Sequence, residues 1–252
     1  MPVFKKPESI IKAAGYCGGC GHGIIQRTIA ESIEELGLQD KVIASVDIAC
    51  AFWAQDALNY EFIAGPHGRC AAVATGIKKV RPDATVYVHA GDGCSYVIGL
   101  SETCFAAIRD VPITMIVVNN GTFGMTGGQM NLATTLLGDR TVSSKAGRRQ
   151  DTMGHPVDML KAIAGFDVEF LARGALYDPR HIDQTKQFIR KGFENQRDNK
   201  GFSLIEVLSP CPTNWKLTPV QSMKKIKDEI EKVFPVGVYV DRSAAREKEK
   251  GA

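Results

Sequence analysis

Residues 91–120 read GDGCSYVIGLSETCFAAIRDVPITMIVVNN, and the apolar runs around and inside this stretch decide the fold. ATVYVHA (84–90) precedes it and PITMIVV (112–118) lies near its end. Both are of strand length and lack polar alternation, as strands of a parallel sheet covered on two faces do. Between them, residues 95–109 fit a crossover helix. The unit is βαβ, and Gly91-Asp92-Gly93 falls at the carboxyl end of its first strand. The fold class is therefore α/β, a doubly wound, mostly parallel sheet with helices on both faces. Ligands of such sheets gather at the carboxyl edge. Glycines let backbone amides approach a phosphate closely, and a helix starting just beyond supplies a positive dipole end. Asp92 offers a hard carboxylate oxygen and Asn120 an amide oxygen. Mg²⁺ takes about six oxygens at roughly 2.0–2.1 Å, some of them from phosphate.

Size and composition bound the rest. The chain has 252 residues, 44% hydrophobic and 23% charged, enough for one large α/β domain or a domain with an extension. Residues 15–215 are expected to form the main domain, with an N-terminal arm (1–14) before it and a C-terminal helix and charged tail (216–252) after it. A formal charge of +3 is too small to argue for a nucleic-acid partner. There is no run of 18 apolar residues, and MPVFKKPESIIK lacks the apolar core of a signal peptide, so a cytoplasmic protein without a membrane partner is expected. Seven cysteines, an odd number, argue against a disulfide framework and leave metal ligation or buried thiols.

Upstream, GYCGGCGHG (15–23) is a glycine-rich loop in which Cys17 and Cys20 have the C-x-x-C spacing that places two sulfurs on one metal or cluster. A thioredoxin-like pair is the rival, but no strand precedes this loop. A helix follows, with Ile24, Ile25, Ile29, Ile33 and Leu36 on one face and Gly37 as its stop. His22, at its start, is a phosphate contact or a capping, solvated histidine. KVIASVD (41–47) is a strand, and Cys50 lies just past its end. IAGPHGRC (63–70) is a loop opening onto a helix, where His67 and Arg69 are anion contacts or surface residues.

Downstream, GTFGMTGGQMNLATT (121–135) is too rich in Gly and Thr for a packed element. Residues 138–155 continue as a polar loop in which Lys145, Arg148 and Arg149 are expected to be solvated. HPVDMLKAIAGF (155–166) reads as a helix and FDVEFLARG (166–174) as a strand. Asp178-Pro179 caps a helix, and GFSLIEVL (201–208) is the last strand, with Cys211 just beyond it. Met223, Ile226, Ile230 and Val233 give a small amphipathic helix, and the charged tail after Val240 is expected to fray or lie on a partner. Four thiolates, at Cys17, Cys20, Cys50 and Cys211, suit a 4Fe–4S cluster or zinc; spacing alone does not choose.

GDG followed after a crossover by NN resembles the thiamine-diphosphate motif. Together with CGGCGHG, HGR, GMTGGQM and the cysteine after the last strand, in that order, residues 15–215 resemble the thiamine-diphosphate-binding β subunit of 2-oxoacid:ferredoxin oxidoreductases. The resemblance implies that family's thiamine-diphosphate-binding fold. It implies Mg²⁺ held by Asp92, Asn120 and the main-chain carbonyl of Thr122, and a 4Fe–4S cluster on Cys17, Cys20, Cys50 and Cys211. It places the cofactor among Cys50, His67, Gly91, Asp92, Gly93, Cys94, Asn120, Thr122, Gly124, Met125 and Thr126, with His67 as the catalytic candidate. The implied reaction is oxidative decarboxylation of a 2-oxoacid with coenzyme A, electrons passing through the cluster to ferredoxin. The implied partners are an α subunit carrying the pyrimidine-binding domain, with γ and ferredoxin-like δ subunits.

Two departures matter. Cys94 stands where many relatives have a second aspartate. Thr126-Gly127-Gly128-Gln129 lacks the lysine of 2-oxoglutarate-type members, which favours an uncharged substrate side chain, because an unpaired distal carboxylate in a closed site is costly. GMTGGQM with Ser101-Glu102-Thr103 is most similar to the branched-chain, 2-oxoisovalerate type. The alternatives are a 2-oxoglutarate or pyruvate member, or a cluster-free thiamine-dependent decarboxylase or synthase subunit.

Overall fold

The computed structural model describes residues 5–244; the end of the charged tail, residues 245–252, lies outside it. In chain order the elements are α1 (His22–Glu35), β1 (Val42–Val46), β2 (Glu61–Ala64), α2 (Cys70–Val80), β3 (Thr85–Gly91), α3 (Leu100–Ile108), β4 (Thr114–Asn119), β5 (Thr122–Phe123) and β6 (Gln129–Met130). They continue with α4 (Gln150–Met153), α5 (Met159–Ile163), β7 (Phe170–Ala175), α6 (Pro179–Arg197), β8 (Ser203–Leu208), α7 (Pro212–Trp215), α8 (Pro219–Lys225), α9 (Glu231–Val233) and β9 (Gly237–Asp241). Seven strands form one sheet in the order β2-β1-β3-β4-β8-β7-β9. All neighbours are parallel except β9, which runs antiparallel to β7.

Alternation within each strand divides the core into two layers. Val86, Val88 and Ala90 of β3, with Met115 and Val117 of β4, pack against α2, α3 and α5. Tyr87, Ile116, Val118, Ile205 and Val207 face the other way, onto α1 and α6. β3, β4, β7 and β8 are buried along almost their whole length; β3 and β4 read as unbroken apolar runs for that reason, whereas β7 and β8 carry Arg173 and Glu206 within theirs.

The connections leave β1 toward β2 and leave β3 toward β4. The crevice at the carboxyl ends of β1 and β3 is thus the topological switch point of the sheet.

Several local expectations change. The crossover after Gly93 is a π-helical turn (Cys94–Ile98) followed by α3. The break sits at Gly99, where a Cβ would lie 2.1 Å from the carbonyl oxygen of Gly68, so the HGR loop presses on bare backbone there. Residues 61–64, partly read as loop, form an edge strand. The helix read at 155–166 shortens to α5, capped by the Asp158 side chain, and the strand read at 166–174 begins at Phe170. Residues 122–130 close into a hairpin, β5–β6.

In the C-terminal helical run a π-turn at Ile226–Ile230 shifts the face by one residue. Phe234 is buried in consequence, while Val233 is 42% exposed. Beyond it β9 adds an edge strand to the main sheet. Near the N-terminus Ile10 bridges Leu58, and the Ser9 amide and hydroxyl both donate to Glu34.

Arg148 is not a solvated loop residue. It is 3% exposed and its guanidinium donates to the carbonyls of Leu132, Thr135, Met153, Gly154 and His155. Five loop carbonyls that no ladder can satisfy converge on one planar donor set. Lys145 and Arg149 are exposed.

Candidate active site at the sheet edge

Four neighbouring strands, β1, β3, β4 and β8, deliver Asp47–Cys50, Gly91–Cys94, Asn119–Thr122 and Ser209–Cys211 to one edge. A cavity there is lined by His22, Asp47, Cys50, His67, Gly91, Asp92, Gly93, Cys94, Asn120, Thr122, Phe123 and Gly124. A larger surface depression, bordered by Lys5, Arg27, Glu31 and Lys186, lies against α1 and α6, away from this edge.

Asp92 is 1% exposed. Its Oδ1 accepts the Gly93 amide at 2.9 Å, and its Oδ2 accepts the Gly121 amide at 2.9 Å and the Thr134 hydroxyl at 2.5 Å. These donors are all neutral. Burial wins over them and pushes the carboxyl from 3.8 up to about 7, with Glu206 adding to the rise. Asn120 Oδ1 accepts the Thr122 amide at 3.2 Å, and its main-chain carbonyl accepts Trp215 Nε1–H at 3.1 Å. Gly93 has no room for a side chain, since a Cβ would meet the Phe123 ring at 2.3 Å. A Cβ on Gly124 would lie 3.5 Å from Cys50 Sγ and 3.8 Å from Asn120 Nδ2, on the cavity wall. A buried carboxylate answered only by neutral donors, amide and carbonyl oxygens nearby, and a wall kept open by glycine fit a magnesium-bound diphosphate.

His67 reaches this cavity from the loop before α2. Its Nδ1 lies 2.5 Å from Asp47 Oδ1, and its ring meets Phe123 edge-on. The hydrogen bond to Asp47 foremost, then Cys94, pushes its pKa up to about 10, so the ring is an imidazolium at neutral pH. Arg69 instead pairs with Glu102 at 3.0 Å. His22 is buried, not a solvated cap: its Nδ1 sits 3.2 Å from His89 Nε2 and Tyr16 stacks on it. Burial lowers its pKa to about 4, so it is neutral. Met125 and Thr126 occupy the exposed tip of the β5–β6 hairpin, outside the cavity wall.

The four thiols gather beside this cavity. The Gly21 amide donates to Pro210 O at 3.4 Å, and a Cβ on Gly21 would strike Ser209 Oγ at 2.2 Å. The C-x-x-C loop is therefore seated directly on the segment that carries Cys211. Asn214 Nδ2 spans Gly124 O at 2.9 Å and Cys211 Sγ at 3.3 Å, and Gly124 borders Cys50. Burial raises the Cys20 thiol to about 12 and Cys50 to about 11; Cys211, Cys50 and Cys17 add to the rise at Cys20, and Cys211 and Cys17 at Cys50. Cys20 and Cys50 are therefore thiols at neutral pH. The sulfurs of the four cysteines form no set of three within 4.8 Å, whereas a single tetrahedral zinc with Zn–S bonds of about 2.3 Å holds its sulfurs roughly 3.8 Å apart. Four thiols of this kind suit a metal–sulfur centre.

Two features carry no sequence signal. The sulfurs of Cys70 and Cys94 lie 3.5 Å apart, although 23 residues separate them. Beneath the edge, Glu206 accepts from Arg173 Nε at 2.8 Å, Asn119 Nδ2 at 2.9 Å and Tyr96 Oη at 2.9 Å, groups carried by three strands and by the π-turn after Gly93.

A carboxyl-edge site with a buried aspartate after β3 and an asparagine after β4 defines the class. Residues 44–207 match the family "Thiamine pyrophosphate enzyme, C-terminal TPP binding domain". The chain is 40% identical to ketoisovalerate oxidoreductase subunit VorA of Methanothermobacter thermautotrophicus, over 97% of this chain and 54% of that protein. It is 31% identical to 2-oxoglutarate synthase subunit KorB of Archaeoglobus fulgidus, over 86% of this chain and 77% of that protein. A solved 2-oxoglutarate:ferredoxin oxidoreductase from Magnetococcus marinus shares the fold, with a TM-score of 0.75 at 24% identity, covering 90% of this chain and 74% of that one. The chain thus belongs to the thiamine pyrophosphate enzymes, among the subunits of 2-oxoacid:ferredoxin oxidoreductases. It spans about half the length of the ketoisovalerate oxidoreductase subunits it matches. Among the described residues no helix is long and apolar enough to cross a membrane.

Proposed function

We propose that this chain is the thiamine-diphosphate-binding subunit of a 2-oxoacid:ferredoxin oxidoreductase that converts a branched-chain 2-oxoacid of the 2-oxoisovalerate kind, with coenzyme A, to acyl-CoA and CO₂. The observation that carries this reading is the meeting, at the carboxyl edge of four neighbouring strands, of an oxygen-donor set with Cys50 and Cys211, which follow β1 and β8, and with Cys17 and Cys20 from the loop before α1. When bound, thiamine diphosphate supplies the electron sink for decarboxylation, and a 4Fe–4S cluster takes up single electrons.

Asp92, Asn120 Oδ1 and the Thr122 carbonyl would hold Mg²⁺, and Cys17, Cys20, Cys50 and Cys211 would hold the cluster. Gly91, Gly93, Cys94 and Gly124 form the wall against the diphosphate. His67, kept cationic by Asp47, faces this cavity as a fixed positive donor and orients an anionic group there. Phe123 lines the cavity beside it, edge-on to the His67 ring. Met125 and Thr126 stand at the hairpin tip, where a closing partner or substrate would meet them. Gly127 puts no cation at that tip, which supports an uncharged substrate side chain. The relatives are named as subunits, which supports assembly with partner chains; the partners proposed are an α subunit carrying the pyrimidine-binding domain, γ and δ subunits, and ferredoxin as acceptor, in the cytoplasm.

The test is a panel of 2-oxoacids assayed for coenzyme A-dependent viologen reduction by the reconstituted complex, beside iron and sulfide analysis of anaerobically purified chain. Preference for 2-oxoisovalerate, with iron lost in Cys50→Ser, is expected. Preference for 2-oxoglutarate refutes the substrate assignment, and iron-free protein refutes the cluster.

A further inference from the structure

We propose that Asp47, Cys70 and Cys94 form a second metal site, for a borderline-soft divalent ion of the zinc class, in the wall of the same cavity. A carboxylate oxygen and two sulfurs from these residues lie within 4.8 Å of one another, and all three residues are buried. Each comes from a different segment: Asp47 follows β1, Cys70 opens α2, and Cys94 opens the π-turn after Gly93. The tertiary fold, rather than local sequence, builds the set.

Three observations point to a ligand. First, the two sulfurs are 3.5 Å apart, close to the roughly 3.8 Å that two thiolates keep on one tetrahedral ion with bonds of about 2.3 Å. Second, Asp47 Oδ2 is buried without a hydrogen-bond partner among the described residues, on a side chain only 1% exposed. A native fold rarely leaves a buried carboxylate oxygen unanswered. Third, the other oxygen of Asp47 is held by His67 Nδ1 at 2.5 Å, the kind of outer partner that fixes the direction of a ligating carboxylate.

The donor set also chooses the ion. Two sulfurs select zinc or cadmium over magnesium, which wants oxygen. Asp92, Asn120 and Thr122 offer oxygen alone. Two sites on one cavity thus sort ions by softness. Both Asp47 and Cys94 line the cavity, so the fourth position of a tetrahedral ion opens toward whatever anion the cavity holds. The site shares no residue with the four-thiol set, and it stands whether or not the chain binds thiamine diphosphate.

The test uses the full-length chain purified anaerobically. Zinc content is measured by elemental mass spectrometry, and cadmium serves as a probe through its thiolate charge-transfer band. Both readings are repeated in a variant with Cys17, Cys20, Cys50 and Cys211 all changed to Ser. One zinc per chain is expected in both proteins, with the cadmium band lost in Cys70→Ser and Cys94→Ser. Zinc affinity should fall by on the order of 10–100-fold in His67→Gln, which removes the hydrogen-bond partner of Asp47 Oδ1 and leaves all three donors in place. If the quadruple variant does not fold, the comparison is made in the iron-loaded parent, where Cys94→Ser must remove one zinc and leave iron unchanged. A parent without zinc or cadmium band overturns the proposal. So does a band undiminished in Cys94→Ser, or peptide mapping that finds Cys70 and Cys94 joined as a disulfide in the anaerobic protein.

Discussion

Replacing Arg173 with methionine tests how the charged layer under the active edge is held. Arg173 is fully buried. Its Nε donates to Glu206 Oε1 at 2.8 Å, its Nη2 to Asp158 Oδ1 at 2.6 Å and its Nη1 to Pro235 O at 3.2 Å, with Tyr239 also in contact. Methionine keeps much of the volume but strands Glu206, 1% exposed, with only Asn119 and Tyr96 as neutral donors. Breaking one side of a buried pair costs about 3–5 kcal/mol. Asp158 retains Lys161 at 3.6 Å and its capping role, so its share is smaller, roughly 1 kcal/mol. The sum, about 4–6 kcal/mol, is a large part of a typical net stability of about 5–15 kcal/mol. Urea unfolding of the isolated chain, followed by circular dichroism, measures it. Glu206→Gln removes the stranded charge, so the double variant should be about 1–3 kcal/mol more stable than the sum of the two single effects. A methionine variant within about 1 kcal/mol of the parent, or strictly additive single effects, would refute the reasoning.

Three further outcomes are expected. Burial raises Asp92 from 3.8 to about 7; between those values the folded chain keeps a proton that the unfolded chain has released, so stability without cation falls as pH rises through that window. Thermal unfolding of cation-free chain should show this decline, Mg²⁺ with thiamine diphosphate should offset it, and Asp92→Asn should abolish it; a flat cation-free profile counts against the buried carboxyl. Gly99→Ala places a Cβ 2.1 Å from Gly68 O and should lower the urea midpoint by the equivalent of about 1–3 kcal/mol or more; an unchanged midpoint contradicts the close approach of the two backbones. Arg148→Met leaves five carbonyls without their common donor and should cost about 2–4 kcal/mol, with faster limited proteolysis within residues 138–155, whereas Arg149→Ala should cleave like the parent.

The strands around the site were legible because burial on both faces leaves its mark in composition: ATVYVHA and PITMIVV can be little else. Gly91-Asp92-Gly93 was legible as an edge because glycine and aspartate end such a run. The same logic failed where a long-range contact overrode local propensity. Nothing near Gly99 shows that Gly68 will press on it, so one crossover helix was read where a π-turn and a shorter helix stand. Arg148 looked solvated because its partners are backbone carbonyls, which have no sequence signature. Glu206 and Arg173 were read only as parts of strands, and their charges make sense only across the sheet.

By itself the sequence determined the class of fold, the edge on which ligands gather, and the kinds of donor atom available there, because these follow from local periodicity and side-chain chemistry. Only the tertiary structure decided which donors meet. It brought Cys94 to Cys70 and Asp47 to His67, and it seated the C-x-x-C loop on the segment before Cys211. Those encounters depend on strand order, and strand order is fixed by how the whole apolar surface is buried rather than by any single stretch of chain.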